Sequence, residues 1–437
     1  MRILSCSLAG GLMIWLAACG GGGGGSSSTP SSGNTVAVSP AAASSATASS
    51  GTTVSQPPPS LLPAANTASN AIPVLVSSAV SGTRNFPMVD VTVCTPGTDA
   101  TANCATIPRV VLDTGSSGLR IFASALPTST LSTLPKQSLP PTGNTLAECA
   151  VFASGYAWGT VRQVDVLLSG EVAQNVPIQV MGDATLAATA PADCQMNIAY
   201  SAALILGANG ILGVSVNPRD CGTACANGNV AGFYYSCGAA GCTTTSLAVS
   251  QQVGNPVQFF PVDNNGVLVE LPPVAAGGAL SASGTLIFGI DTQPNNTLAG
   301  QSATILPTNG YGEFNATYLG VTFPSSASFD TGSPSMYLQN TAVPVNSAGF
   351  YAPTNTLAQS VTLSGLNSAS TTINFNIANA SDLLASANYA FNDIAYSIPN
   401  LFDLGMPFFF GRHVYFGLAN SVSQGGGAGP YVAFLSD

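Results

Sequence analysis

Two segments of the chain place an Asp-Thr-Gly-Ser tetrapeptide directly after a run of apolar residues. The first is "RVVLDTGSSGLRIF", Arg109–Phe122, and the second is "ASFDTGSPSMYL", Ala327–Leu338. In each, an apolar strand ends at an aspartate, Asp113 or Asp330, and the glycine then allows a sharp turn. One such carboxylate fits an ordinary turn, but two in the same local setting predict a pair that works together.

The rest of the chain is predicted to be mostly β. Of the 437 residues, 46% are hydrophobic and only 6% are charged, and 47 Gly and 30 Pro divide the apolar runs into short pieces. The run "VDVLLSGEVAQNVPIQVMG" predicts a hairpin with its turn at Ser169 and Gly170. Helices are expected to be few and short, near Thr354–Gln359 and Asn400–Phe408. The formal charge of −10, with eight scattered basic residues, argues against a nucleic-acid partner.

Residues 1–19 are predicted to be the signal peptide of a bacterial lipoprotein. Arg2 precedes an apolar run that ends in "LAAC", is too short to span a membrane and resembles a lipobox. Acylation of Cys19 would hold the protein in the cell envelope, at the outer membrane by the nature of Gly20. Ordinary signal cleavage, with Cys19 left as a thiol, is the alternative. Residues 20–70, rich in Gly, Ser, Thr, Ala and Pro, are predicted to be a flexible tether.

Eight further cysteines are expected to form four disulfide bonds, because their number is even and the chain is expected to be exported. The first two are close enough in sequence to close a hairpin, whereas the other pairings stay open. Zinc binding is the competing interpretation for the last four, which form two close pairs within the segment Asp220–Cys242. The eight residues are Cys94, Cys104, Cys149, Cys194, Cys221, Cys225, Cys237 and Cys242.

The two aspartates suit a specific chemistry if they meet. Carboxylates within about 3 Å of one another cannot both ionise at ordinary pH, so they share one proton. The ionised member can accept a proton from a trapped water, and the protonated member can donate to a substrate carbonyl oxygen. Asp113 and Asp330 are therefore the candidate catalytic residues. Glycine would allow close backbone approach, threonine would tie the loops together and serine would hold the carboxylates; these supporting residues are Thr114, Gly115, Ser116, Thr331, Gly332 and Ser333.

Further segments, in the same order along the chain, resemble those of the pepsin-like aspartic peptidases. "NGILGV", Asn209–Val214, and "LGMPFFFGRHVYFGLA", Leu404–Ala419, resemble the segments that thread behind the two catalytic loops. "GTLIFGID", Gly284–Asp291, resembles the strand that closes the first lobe, and "YVAFLS" resembles the closing strand of the family. The resemblance spans residues from about Phe86 to Ser436.

This resemblance implies a mostly β, two-lobed, pepsin-like fold with the active site between the lobes. The N-terminal lobe would be residues 71–290, with the disulfides, and the C-terminal lobe residues 291–437. It also implies an aspartic endopeptidase that acts on a polypeptide substrate as a monomer, without a metal ion or an organic cofactor.

The segment "FASGYAWG", Phe152–Gly159, resembles the flap that covers the cleft in this family. The usual flap tyrosine is replaced by Phe152, and Tyr156 and Trp158 are the further candidates for contacting substrate. Arg120 stands where the family usually has a tryptophan, and Asp403 where it usually has an apolar residue. The catalytic pattern is kept, but the residues expected to face the substrate differ.

Other functions stay open from the sequence. A pepsin-like envelope lipoprotein that has lost catalysis, and serves as a binding or structural module, would explain the altered flap. An unrelated all-β surface protein such as an adhesin is a third possibility. A Ser-His-Asp hydrolase or a metallopeptidase would depend on the single histidine, His413, whose apolar surroundings predict a structural role. Two intact loops favour catalysis, because burying two carboxylates is costly.

Overall fold

The structure, a computed structural model, describes residues 62–65, 67–186 and 188–435. The predicted signal peptide, Cys19 and residues 20–61 of the predicted tether lie outside the described residues. Within the described part of the chain the structure is mostly β, with short helices between the strands. No helix of this part is long and apolar enough to cross a membrane.

The first half of the described chain is built from fourteen strands and three short helices. The strands are β1 Ala71–Ser77, β2 Met88–Cys94, β3 Ala105–Asp113, β4 Ser117–Phe122, β5 Ser138–Leu139, β6 Asn144–Val151, β7 Gly155–Leu168, β8 Glu171–Met181, β9 Ile198–Ala199, β10 Gly210–Val214, β11 Tyr234–Gly238, β12 Gly241–Thr244, β13 Gly266–Leu271 and β14 Ser281–Phe288. The helices are α1 Thr128–Thr133, α2 Ala203–Leu206 and α3 Thr223–Asn227.

The second half adds twelve strands and two short helices. The strands are β15 Ala303–Pro307, β16 Phe314–Tyr318, β17 Val321–Asp330, β18 Met336–Leu338, β19 Leu357–Ser364, β20 Ser370–Ile377, β21 Ala395–Ser397, β22 Phe402–Gly405, β23 Arg412–Gly417, β24 Val422–Ser423, β25 Gly427–Ala428 and β26 Tyr431–Leu435. The helices are α4 Ala380–Ala385 and α5 Met406–Phe409.

The strands form one large branched sheet of seventeen strands and a second sheet of seven. The large sheet holds β1 to β14 together with β15, β23 and β26, because β13 pairs with β23 and β23 pairs with β26. The second sheet has the order β20-β19-β16-β17-β22-β18-β21. The alternating residues of these strands are buried in a shared apolar core that includes Leu112 of β3 and Phe329 of β17.

The same three-strand arrangement occurs once in each sheet. In the large sheet, β10 lies between β3, to which it is parallel, and β4, to which it is antiparallel. In the second sheet, β22 is parallel to β17 and antiparallel to β18. The loop that joins β3 to β4, residues 113–117, therefore lies at the end of a strand paired on both sides. The loop that joins β17 to β18, residues 330–336, has the equivalent position in the second sheet. The predicted fold class is confirmed. Of the segments expected to thread behind these loops, Asn209–Val214 contains β10, and Leu404–Ala419 contains the end of β22 followed by α5 and β23.

Local patterning predicted several elements correctly and one wrongly. The hairpin of β7 and β8 turns at Ser169 and Gly170 as expected, with Ser169 at a positive φ of 58°. The helix expected near Thr354–Gln359 is wrong, because these residues run into β19. Alternate residues of β19, such as Val361 and Leu363, are buried, which is the periodicity of a strand. The region of Asn400–Phe408 is divided between strand β22 and helix α5.

Residues just before β1 already contact the large sheet. The Ala64 N–H donates to Oε2 of Glu270 at 2.7 Å, and the Thr285 hydroxyl donates to the Ala64 carbonyl at 2.9 Å. Asn70 donates to the Phe288 carbonyl at 3.0 Å. The chain is thus fixed to β13 and β14 before Ala71, where the sequence places the start of the first lobe. The lobe boundaries themselves stay a prediction.

Candidate active site

The two Asp-Thr-Gly-Ser loops meet where the two sheets face one another. Asp113 is the last residue of β3, and Asp330 is the last residue of β17. A Cβ atom added to Gly115 would lie 2.6 Å from Cγ of Asp330, so only glycine lets the two loops approach this closely. The structure thus brings Asp113 and Asp330 together, whereas their catalytic role stays a prediction.

Each aspartate is held by the same two donors from its own loop. For Asp113, the Gly115 N–H donates to Oδ1 at 2.9 Å and the Ser116 hydroxyl donates to Oδ2 at 2.5 Å. For Asp330, the Gly332 N–H donates to Oδ1 at 2.8 Å and the Ser333 hydroxyl donates to Oδ2 at 2.7 Å. Such donors stabilise the ionised form and fix the plane of each carboxyl group.

The threonines connect the two loops reciprocally. The Thr114 N–H donates to the Thr331 hydroxyl and the Thr331 N–H donates to the Thr114 hydroxyl, both at 3.0 Å. Each hydroxyl also donates a hydrogen bond to the opposite loop. The Thr331 hydroxyl donates to the Leu112 carbonyl at 2.7 Å, and the Thr114 hydroxyl donates to the Phe329 carbonyl at 3.2 Å. Because all these groups are buried, the distance between the aspartates is set by four hydrogen bonds.

Burial and mutual repulsion favour one retained proton on the pair. Asp113 is 0% exposed and Asp330 is 1% exposed. Burial raises the pKa of Asp113 well above its ordinary value, and the neighbouring charge of Asp330 raises it further. Burial also raises the pKa of Asp330, although the Ser333 and Gly332 donors oppose this rise. The pair therefore tends to keep one proton. This singly protonated state is the one required for acid and base catalysis by one dyad.

A buried charge cluster surrounds Arg120, which follows the first loop on β4. Its Nη2 atom lies 2.6 Å from Oε1 of Glu148 on β6 and 3.6 Å from Oδ2 of Asp220. Asp220 also accepts a hydrogen bond of 2.6 Å from the hydroxyl of Tyr234 on β11. Arg120, Glu148 and Asp220 carry two carboxyls for one guanidinium, and burial raises the pKa of Asp220 well above its ordinary value. Arg120 stands out in the sequence, but its partners do not, because Glu148 and Asp220 lie 28 and 100 residues further along the chain.

The predicted flap is a hairpin, formed by β6 and β7, but its three candidate residues do not lie together. Phe152, in the turn, is 2% exposed and packs 6.2 Å from Tyr200, with the Arg120 guanidinium 5.8 Å from its ring centre. Tyr156 and Trp158 pack instead in a cluster around Cys149 and Cys194, on the other face of the hairpin from Ala157. The alternation of a strand explains this separation, since residues 156 and 158 share a face. Their role in contacting substrate stays a prediction.

The described part of the chain contains four disulfide bonds, and they replace the zinc interpretation. They are Cys94–Cys104, Cys149–Cys194, Cys221–Cys225 and Cys237–Cys242. The first closes the hairpin of β2 and β3, as expected from the sequence. The second connects β6 of the flap hairpin to the loop before β9. Among residues 62–65, 67–186 and 188–435, no group of three or more His, Cys, Asp or Glu side chains is arranged to hold a metal ion.

Comparison with known proteins gives the chain a family. The sequence model of the family described as "Protein of unknown function (DUF3443)" matches residues 66–434. The chain belongs to the DUF3443 family. Comparison of this DUF3443 protein with curated proteins finds no relative. Among solved structures, it is similar to the crystal structure of aspartic proteinase from Irpex lacteus, with 16% sequence identity and a TM-score of 0.46, over 84% of this chain and 96% of that chain.

Proposed function

We propose that this DUF3443 protein is an aspartic-type endopeptidase that hydrolyses peptide bonds in polypeptides. The observation that supports this proposal is the geometry of the dyad. Two buried aspartates from separate loops face each other, carry matching donors and are joined by a reciprocal threonine pair. An ordinary structural aspartate needs no second carboxyl beside it, and burying two carboxyls side by side is costly, which favours a functional role for the pair. Because a single chain supplies both aspartates, we propose that it acts as a monomer.

The mechanism follows from one proton shared between two carboxyls. The ionised aspartate would accept a proton from a water molecule, which would attack the carbonyl carbon of the peptide bond. The protonated aspartate would donate to the carbonyl oxygen, giving a tetrahedral intermediate without a covalent link to the protein. The aspartate that took up the proton of the water would then give it to the leaving nitrogen, and the C–N bond would break. The other aspartate would take back a proton from a hydroxyl of the intermediate as the carboxylic acid product forms, so the dyad would again hold one proton. Ser116 and Ser333 would keep both carboxyl planes aligned throughout.

Access to the dyad requires a change of conformation. Asp113 and Asp330 are 0% and 1% exposed, so a polypeptide does not reach them in the conformation described above. The hairpin of β6 and β7 is the element whose movement we propose would admit the substrate. Closure of such a hairpin would then exclude bulk water during the reaction.

The decisive experiment incubates unfolded protein with purified protein starting near residue 62 at pH 3 to 7. Wild type is compared with Asp113→Asn and Asp330→Asn, which keep the size of the side chain and remove the acid. Cleavage by wild type alone supports the proposal. Equal cleavage by all three proteins, or cleavage by none, contradicts it. A control variant at the exposed Asp90, Asp90→Asn, accounts for the change in net charge.

A second candidate function is an inactive member of this fold that binds peptides or serves a structural role. The observation that favours it is Phe152, which has no hydroxyl and is packed below Arg120 in place of the usual flap tyrosine. Binding of an extended peptide inhibitor without cleavage of any peptide, and with no effect of the two Asn variants on binding, would favour this function.

We further propose that the protein is anchored in the bacterial cell envelope, at the outer membrane, through a lipid on Cys19. The lipobox-like "LAAC" and the Gly-rich segment that follows support this proposal. Metabolic labelling with palmitate tests it, because wild type should incorporate the label and Cys19→Ala should not. Labelling that persists in Cys19→Ala would contradict the assignment.

A further inference from the structure

A third carboxyl group, that of Asp403, lies beside the dyad. Asp403 is on β22, directly opposite Ser328 in the parallel pairing with β17 and opposite Tyr337 in the antiparallel pairing with β18. The residue is 1% exposed, and neither of its carboxyl oxygens makes a hydrogen bond of good geometry. A buried carboxylate without a well-formed hydrogen bond is costly, so this position calls for an explanation.

The groups that face Asp403 are acids and hydroxyls. Asp330 and Asp113 approach it from the two catalytic loops, and Tyr337 approaches it from β18. The neighbouring hydroxyls belong to Ser333, in the second loop, and to Ser328, on β17. Burial raises the pKa of Asp403 well above its ordinary value, and the negative charge of Asp330 raises it further, against a smaller lowering by the two serines. These surroundings favour the neutral acid.

Ser333 connects this third carboxyl to the dyad. Its hydroxyl has a single proton, which it donates to Oδ2 of Asp330 at 2.7 Å. A protonated Asp403 can donate to a lone pair of the Ser333 oxygen, which leaves the Ser333 hydroxyl proton directed at Asp330. An ionised Asp403 can only accept, and it would compete with Asp330 for the same proton. The protonation state of Asp403 therefore decides where the Ser333 hydroxyl points.

We propose that Asp403 is a positioning residue that keeps its proton in the active protein and directs the Ser333 hydroxyl towards Asp330. Its ionisation at higher pH redirects that hydroxyl and switches the site off. The role of Asp403 in switching activity rests on the proposed peptidase function, whereas the retention of a proton by Asp403 does not. Asp403 acts through Ser333 and touches no substrate.

The first test measures kcat and KM for peptide cleavage against pH with Asp403→Asn and Asp403→Leu. Asparagine cannot ionise but still donates, so this variant should keep kcat at acidic pH within about threefold and lose activity at a higher pH than wild type. Leucine removes the donor and with it the hydrogen bond that orients the Ser333 hydroxyl. This loss should lower kcat about tenfold while KM stays the same. Identical pH profiles for wild type and both variants would overturn the proposal.

The second test reads the proton on Asp403 without catalysis. The pKa of Asp403 is raised in the folded protein, so its contribution to stability is full below the pKa of the unfolded chain, about 4, and is lost as pH rises towards the folded pKa. The unfolding constant of wild type relative to Asp403→Asn should therefore rise roughly tenfold per pH unit above about pH 4. The matched control is Asp90→Asn, which makes the same change of charge on an exposed strand residue.

The two tests separate the two proposals. A ratio of unfolding constants that is flat with pH for Asp403→Asn, as expected for the Asp90→Asn control, would show that Asp403 does not retain its proton and would overturn the inference. A wild-type protein that cleaves nothing would overturn the proposed peptidase function, while the unfolding ratio would still decide whether Asp403 is protonated. Asp403→Leu, which also lacks an ionisable group, gives a second variant for the same denaturation series.

Discussion

Thr114 and Thr331 each accept the backbone N–H of the other, at 3.0 Å in both directions. The pair joins the large sheet to the second sheet at the point where the two aspartates meet. Each threonine is buried, so no solvent can replace a lost partner. The spacing of the dyad thus depends on two side chains that take no part in chemistry.

The threonine pair should be necessary for stability. Thr331→Val would leave the buried Thr114 N–H and the Leu112 carbonyl without partners, at a cost of about 1–3 kcal/mol for each group. Thr331→Ser keeps the hydroxyl and should cost much less. Urea unfolding of the three proteins at one pH measures both effects. Equal midpoints for Val and wild type would show that the reciprocal bonds contribute nothing.

The dyad should lower stability as pH rises. The pKa values of both aspartates are raised by burial, so their contribution is full below the unfolded value of about 4 and is lost as pH rises through the folded values. Asp113→Asn and Asp330→Asn remove this loss. The stability of each variant relative to wild type should therefore be higher at pH 7 than at pH 4. Thermal unfolding across this range provides the measurement. The same raised values predict that peptidase activity extends above pH 4 and falls when the pair loses its second proton.

The charge cluster around Arg120 should destabilise the protein when its cation is removed. Arg120→Met would leave Glu148 and Asp220 buried without compensation, which typically costs about 3–5 kcal/mol at neutral pH. This cost should shrink as pH falls, because Asp220, whose pKa burial already raises, can then take up a proton. Denaturant titrations at pH 4 and pH 7 test the difference.

A double variant provides the control for Arg120. Arg120→Met with Glu148→Met replaces the closest ion pair by apolar side chains and should recover much of the lost stability. A double variant as unstable as Arg120→Met at pH 7 would show that packing around Arg120, not its charge, stabilises this region.

Asp165 should stabilise the protein with a pH dependence opposite to that of the dyad. Burial raises its pKa, but backbone N–H groups of Gly97, Thr98, Ala100 and Asn175 outweigh this and hold its pKa below the usual range. Its contribution is therefore present above the unfolded value of about 4 and is lost as pH falls through the folded value. Asp165→Asn should lower the melting temperature at pH 6 and have little effect near pH 2. An equal loss at both values would contradict the role of the charge.

The sequence predicted those parts of the site that depend on local pattern. Asp113 and Asp330 were found because each ends an apolar strand and begins the same tetrapeptide, so one local rule applied twice. The hairpin between Cys94 and Cys104 was found because its two ends are near each other in the chain. The mistaken helix at Thr354–Gln359 shows the limit of this approach, since Val361 and Leu363 beyond it fix the strand through contacts with the core.

Features that depend on distant partners could not be predicted. Arg120 looked like a simple departure from the expected residue, and only the fold shows that Glu148 and Asp220 neutralise it. The sequence could have predicted that Tyr156 and Trp158 share one face of the flap hairpin, because they are two residues apart in a strand. Their actual surroundings depend on Cys194, whose pairing with Cys149 the spacing alone did not determine.

The large sheet takes strands from both ends of the described chain, with β1 paired to β14 and β13 paired through β23 to β26. Residues 71–290 and 291–437, produced as separate polypeptides, would each expose the long edge on which the other half lies. Each half made alone is therefore expected to leave unpaired strand edges, which promote aggregation, so the two aspartates depend on one continuous sheet for their positions.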